Sequence, residues 1–253
     1  MMNPAEFDNI AQAEEHFWWY RGMRRIMNAM LDPIVRQRQI RNVLEAGCGT
    51  GHFSHHLAER YGWHMHSLDL GWEGLQYARN YGVPRLAQGD IRALPYRSAA
   101  FEAVVTMDVI VHLQKGEEHK PLSEFARVLK PGGLLVARVS ALDVLRSRHS
   151  MFAQERQRFT RPRLRRESER QGFRVLRCTY ANALLAPVAF AKFRIVEPLT
   201  RQPPASGVRP VARWLDHLLY LPLAAEAIWL GAGLSFPVGQ SLVLVAEKTN
   251  QRF

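Results

Sequence analysis

Glu45-Ala46-Gly47-Cys48-Gly49-Thr50-Gly51 sets three glycines on alternate positions behind an acid. Glycines at this spacing allow a tight turn and let backbone approach a ligand closely. Asp69 follows about 20 residues on, where an acid accepts hydrogen bonds from both hydroxyls of a ribose. A glycine turn followed by a ribose acid is the chemistry of an adenosine-containing cofactor. The nicotinamide fingerprint G-x-G-x-x-G requires glycine at position 52, and this chain has His52 there. Glu45 repels a pyrophosphate but helps hold an ammonium, so the compact turn suits an amino-acid head group.

The elements that must position these residues alternate along the chain. Arg41 to Ala46 is a short apolar run ending in the glycine cluster, a buried strand entering a turn. Further strands are predicted over Trp63–Asp69, Pro84–Gln88, Phe101–Met107, Leu134–Val139, Phe173–Thr179 and Ser241–Glu247. Helices are predicted over residues 5–31, Gly51–Tyr61, Trp72–Asn80, Pro121–Leu129 and Arg161–Gln171, with Pro131-Gly132-Gly133 as a break. This alternation predicts an α/β fold, a parallel sheet with helices on both faces. The organisation expected is an N-terminal helical lid over 1–38, a Rossmann-like core over 39–180, an apolar helical insertion over 181–239, and a final core strand and tail over 240–253. Within the insertion, Val211, Trp214, Leu215, Leu218 and Leu219 share one helical face, with Arg213, Asp216 and His217 elsewhere. Pro222, Glu226, Gly231 and Gly233 interrupt the apolar run, so a membrane-spanning helix is not expected.

VLEAGCGTGHFSHHLA, together with LPYRSAAFEAVVTMDVIVHL and RVLKPGGLLVARVS, resembles the ordered motifs of the class I S-adenosylmethionine (SAM)-dependent methyltransferases, especially the methyltransferase type 11 group. The resemblance covers residues 40 to 180. It implies a seven-stranded, mostly parallel sheet in the order 3-2-1-4-5-7-6 with the seventh strand antiparallel, which puts the insertion between strands six and seven. It implies SAM as cofactor and S-adenosylhomocysteine as product. Glu45, Gly47, Cys48, Gly49 and Gly51 would line its methionine and ribose, Asp69 would hold the ribose, and Leu70 would pack by the adenine. Asp90 would accept from the adenine amino group, Ile91 would cover its face, and Met107 and Asp108 would border the methionine. His16-Phe17-Trp18-Trp19-Tyr20-Arg21-Gly22 resembles a segment preceding the glycine motif in a subgroup of these proteins; as a lid it would bring Trp19, with Arg21 or Arg24, to the cofactor.

Methyl transfer is an in-line displacement on an activated donor, so positioning carries much of the rate. A hydroxyl acceptor needs a base, and histidine is the natural candidate. His112, after the fourth strand, and His149, after the fifth, are the candidate catalytic residues. In the family Glu-His is frequent at the first place, and Val111 replaces the Glu here. His64 and His66 share a strand face, but no third ligand follows, so no metal is expected. No G-x-S-x-G elbow marks a serine hydrolase.

The net charge is +11 and the sequence pI about 10.2. The excess is concentrated between Arg146 and Arg177, where the acids are Glu155, Glu167 and Glu169. A basic surface favours polyanions or anionic lipid. The fourth-strand end, Met107-Asp108-Val109-Ile110, lacks the tetrad of base-amino methyltransferases, and no DNA partner is expected. The expected acceptor is a small molecule, a natural product or a lipid-linked sugar, methylated at oxygen; a non-catalytic SAM-binding protein and an RNA methyltransferase are the alternatives. Peripheral membrane contact through 181–239 and a homodimer are further candidate associations. Two cysteines, Cys48 and Cys178, build neither a disulfide framework nor a zinc site. Met1 to Ile10 is polar and acidic, so a cytoplasmic location is expected.

Overall fold

The computed structural model describes residues 2–200, 202–208 and 211–249; the end of the expected tail, 250–253, lies outside these. The strands are β1 (Asn42–Ala46), β2 (His64–Asp69), β3 (Leu86–Gln88), β4 (Phe101–Met107), β5 (Leu129–Ser140), β6 (Phe173–Ala181) and β7 (Ser241–Lys248). They form one sheet in the order β3-β2-β1-β4-β5-β7-β6. β1 lies parallel between β2 and β4, with Leu44 opposite both His66 and Val104. β7 runs antiparallel between β5 and β6. The fold is therefore Rossmann-like, with the 3-2-1-4-5-7-6 order that the motifs imply.

Period-two alternation buries both faces of the sheet. Leu44, Ala46, Val104, Leu135 and Leu244 face α5 (His119–Val128) and α7 (Arg161–Arg170). Val43, Ala103, Val105, Val136 and Val245 face α2 (Trp18–Val35), α3 (His52–Tyr61) and α10 (Arg213–Gly231). α4 (Trp72–Asn80) follows β2, and the short α6 (Arg148–Phe152) follows β5. Between β6 and β7, the chain winds through α8 (Ala186–Ala191), a π-helical turn (Lys192–Val196) and α9 (Glu197–Thr200) before α10. No described helix is long and apolar enough to cross a membrane.

Three elements differ from expectation. The single helix over 5–31 is two: α1 (Ala5–Ala13), then α2, whose start is set by an extended Phe17. The break leaves carbonyls at the end of α1 that Arg24 satisfies, donating to Glu14 O at 2.6 Å and Glu15 O at 3.2 Å. No glycine or proline marks the break, because its cause is this long-range cap. Helix α5 ends at Val128, ahead of Pro131-Gly132-Gly133 as expected, but that triplet lies inside β5, which begins at Leu129 and shifts register against β4 between Phe101 and Ala103. In α10, Pro222 lies inside the helix without ending it, and Asp216 faces inward while Trp214 and Leu218 face solvent. Asp216 accepts from the Trp18 N–H at 2.8 Å, capping α2, and pairs with Arg21. Partnered polar groups, not hydrophobicity, set that end of the helix.

Candidate active site

One cavity of about 1070 Å³ opens at the carboxyl ends of β1, β2 and β4, where open α/β sheets bind ligands. Glu45, Gly47, Cys48, Gly49, Asp69, Leu70, Asp90, Ile91, Met107, Asp108, Trp19, Arg24, His112 and His149 all line it. Residues of β1, β2, β4, α2, α6 and the turn after β4, with several loops, thus line one cavity.

Gly51, also expected at the cofactor, does not line that cavity. It lies outside the cavity wall, at φ +77°, and a Cβ there would fall 2.5 Å from the Ala78 Cβ. Its role is to let the start of α3 pack against α4. Arg21 likewise does not line the cavity. It pairs with Asp216 and stacks on the Tyr220 ring at 4.7 Å.

The amide groups of the glycine turn point inward on the protein. Gly47 N and Cys48 N both donate to Leu68 O, at 2.7 and 2.9 Å, and Gly51 N donates to Cys48 O at 2.9 Å. Gly49 N donates to Asp69 Oδ2 at 2.7 Å, and Gly71 N to Asp69 Oδ1 at 2.7 Å. A phosphate cradle needs free N–H groups aimed at the anion, and this turn does not offer that set. Burial raises the Asp69 carboxyl, opposed by the two amide donors. Each carboxylate oxygen keeps a further lone pair for a hydroxyl.

The other acids set the electrostatics. Glu45 is buried beneath the turn, where burial pushes its carboxyl up to about 8 against a hydrogen bond from Ser54 Oγ. Asp108 sits just past β4 at φ +56°, and Arg138 donates to it at 2.9 Å while stacking on the Trp19 ring at 4.8 Å. Asp90 is held by Arg92, through Nε at 2.9–3.0 Å and the Arg92 N–H at 2.8 Å. That carboxylate comes to any ligand already engaged, an arrangement the motif alone does not reveal.

The two candidate histidines present opposite edges. The Nδ1–H of His112 donates to Gln154 O in a long bond of 3.3 Å, leaving the Nε2 lone pair free. Gly207 N donates to Nδ1 of His149 at 3.0 Å, so the neutral ring carries its proton on Nε2. Burial lowers both imidazoles, His149 against the opposing Glu6 carboxylate 3.6 Å away. Both rings are therefore neutral near pH 7.

Glu6, Phe7 and Glu14 escape sequence reasoning, and Tyr20 enters it only as a member of the aromatic segment. Glu6 on α1 is 1% exposed and accepts from Ser206 Oγ at 2.9 Å. Phe7 packs against Gly71 and Gly74, beside Asp69. Glu14 accepts from Thr50 Oγ1 at 2.6 Å, has no partner on Oε1, and is pushed up to about 7 by burial. Tyr20 lines the cavity, its phenol pushed up by burial and by the Glu14 and Glu6 carboxylates. Glu6, Phe7 and Glu14 reach the site through contacts far along the chain, which no local spacing encodes.

The arginine-rich stretch is less free than its composition suggests. Arg158 pairs with buried Glu155 at 2.7 Å, Arg163 with Glu118, and Arg165 with Glu169 at 2.8 Å. The expected basic surface over Arg156–Arg170 is in large part neutralised within the fold.

The sheet order and glycine–acid site define a class I SAM-dependent methyltransferase domain, and residues 43–133 match the family described as methyltransferase domain. The chain is 31% identical over 137 residues to a malonyl-[acyl-carrier protein] O-methyltransferase of Erwinia billingiae (strain Eb661), covering 54% of this chain and 53% of that one. It is 29% identical over 119 residues to a norajmaline N-methyltransferase of Rauvolfia serpentina, covering 44% and 39%. The chain thus spans about half or less of the curated relatives it matches. A chain from a complex of the Haloferax volcanii Trm112 methyltransferase activator superposes with a TM-score of 0.61 at 20% identity, over 97% of this chain and 98% of that one. That likeness is one of fold.

Proposed function

We propose that the protein binds SAM and transfers its methyl group to an oxygen of a small-molecule acceptor, a natural product or a lipid-linked sugar. One observation carries the reading: a single cavity joins the glycine turn and Asp69 to His112 and His149. The donor set fits SAM. The N–H groups of Gly47, Cys48, Gly49 and Gly51 are engaged internally and so form no pyrophosphate cradle, while Glu14, Asp69 and Asp108 line the pocket beside Arg24 and Arg138, partners for an amino-acid head with both its charges.

In this reading Asp69 holds the ribose hydroxyls with its remaining lone pairs, Leu70 packs by the adenine, Ile91 covers its face, and Asp90 with Arg92 borders its amino edge. Glu14 takes the ammonium on Oε1, next to Thr50 of the turn. Gly47, Cys48 and Gly49 line the methionine path; Met107, Asp108 and Glu45 close it, and Trp19 and Arg24 form the lid side. When bound, SAM supplies the sulfonium methyl. His112 takes the acceptor hydroxyl proton on its free Nε2, and His149 donates its Nε2–H to the acceptor and fixes its orientation. These are neutral-ring tasks, which the lowered histidines meet.

Calorimetric titration with SAM, S-adenosylhomocysteine and NADH tests the cofactor, followed by transfer of labelled methyl to a panel of phenols, phosphosugars and lipid-linked sugars. Binding of the two adenosyl-sulfur ligands and label on oxygen are expected. Binding of NADH alone, or SAM binding with no transfer to any panel member, overturns the reading.

A further inference from the structure

Every turn of α10 carries apolar residues outward as well as inward. At 3.6 residues per turn, Trp214, Leu218, Leu221, Ala225, Ile228 and Trp229 fall on one stripe. Trp214 is 69% exposed and Ile228 68%, with Leu218, Leu221 and Trp229 also exposed. The opposite stripe, with Leu223, Ala227 and Leu230, packs into the core against α2. The acids of the helix are on that buried side: Asp216 caps α2, and Glu226 accepts from Leu184 N at 2.8 Å. His217 is the one titratable side chain on the outward face. A helix apolar all round is normally covered on both sides, and an exposed stripe of this length marks an interaction surface.

The preceding helical run repeats the pattern. Val188, Ile195 and Leu199 are exposed, Leu199 by 78%. The two segments also meet at the cavity, since Phe193 and Val196 of the π-turn and Val211 and Leu219 beside or within α10 line it. The exposed cations of these elements are Lys192, Arg194 and Arg213, whereas the acids Asp216 and Glu226 face inward and half-buried Glu197 accepts from Arg148 N at 2.9 Å.

We propose that the outward face of α10, together with the exposed apolar side chains of residues 188–199, docks on an anionic lipid bilayer, so that the cavity receives an amphiphilic acceptor from it. Exposed tryptophans over an apolar stripe with flanking cations match a bilayer interface, where the rings lie among headgroups and the cations meet anionic lipid. A second copy of the chain is disfavoured by the same charges, because two molecules of net charge +11 repel. The choice of acceptor rests on the methyl-transfer reading; the docking does not.

The test is co-flotation of the full chain with phosphatidylglycerol–phosphatidylcholine vesicles and with phosphatidylcholine alone, read also by tryptophan emission. Binding to the anionic vesicles, a blue shift, and weakening with salt are expected. Trp214→Glu combined with Leu218→Glu is expected to lower vesicle binding at least tenfold while leaving the circular dichroism, melting and SAM titration unchanged. Wild-type protein that stays off anionic vesicles, or a double variant that still floats, overturns the docking face. A concentration-dependent dimer in light scattering that the same double variant dissolves assigns the stripe to a second copy and overturns the bilayer. SAM titration without vesicles reports separately on the cofactor reading.

Discussion

Thr50 Oγ1 donates to Glu14 Oε2 at 2.6 Å, while Glu14 Oε1, also buried, has no partner. A carboxyl raised from 4.5 to about 7 by burial is half protonated at neutral pH. The folded state holds that proton more tightly than the unfolded chain, so this stabilising contribution is complete below 4.5 and is lost as pH rises through about 7. A ligand ammonium at Oε1 favours the ionised form. SAM affinity is therefore expected to rise with pH and level off above about 7, falling by up to about tenfold per unit below that. Titrations from acid to alkaline pH check this against Glu14→Gln, which keeps the ligand's own titration but removes the carboxyl. An identical pH profile in the variant places the ammonium elsewhere.

Asp69 both holds the turn and faces the cavity. Asp69→Ala removes the acceptors of Gly49 N and Gly71 N as well as the site for the ribose hydroxyls. The expected loss in SAM binding is about 1–3 kcal/mol for charged hydrogen bonds, read by calorimetry. Unchanged affinity would remove the ribose from this carboxylate.

The strands and the glycine turn were legible because both are local. Buried period-two runs such as Val43–Ala46 and Val104–Val105 are bounded by turn residues, and Asp69 ends the strand next to β1. Failures occur where a distant partner decides. The α1–α2 break depends on Arg24 reaching back to Glu14 O. The inward turn of Asp216 depends on Trp18 and Arg21, 198 and 195 residues away. Gly51 shows a third kind of limit: its place in the motif is correct, yet the side of the turn it faces is fixed by Ala78 on another helix. Glu6 and Glu14 carry no local signature and enter the site only because α1 folds over it.

The hydrogen bonds of the two histidines predict different kinetic lesions. With Nδ1 tied to Gln154 O, His112 offers a lone pair at Nε2, and His112→Asn is expected to lower kcat by about 10²–10⁴ and to abolish the acid limb of the pH–rate profile. His149, its Nδ1 facing Gly207 N–H, acts as a donor, and His149→Asn is expected chiefly to raise KM for the acceptor. Steady-state kinetics of both variants decide. A kcat collapse in the His149 variant with His112 silent exchanges the roles.

Gly22 fixes how closely α2 and α10 approach. A Cβ there would stand 2.3 Å from Leu223 Cδ1 and 2.6 Å from Leu223 Cβ, and Leu223 is fully buried. Alanine ordinarily stabilises a helix interior by about 1 kcal/mol over glycine. Here steric overlap outweighs that gain, and Gly22→Ala is expected to cost about 1–3 kcal/mol, a fall in melting temperature of about 2–4 °C per kcal/mol. The double variant with Leu223→Ala removes the overlapping side chain, so its loss is expected to be smaller than the sum of the two single losses. Strict additivity would separate Gly22 from Leu223. Recovery would show that this glycine sets the spacing between α2, which lines the cavity, and the helix whose outer face is apolar.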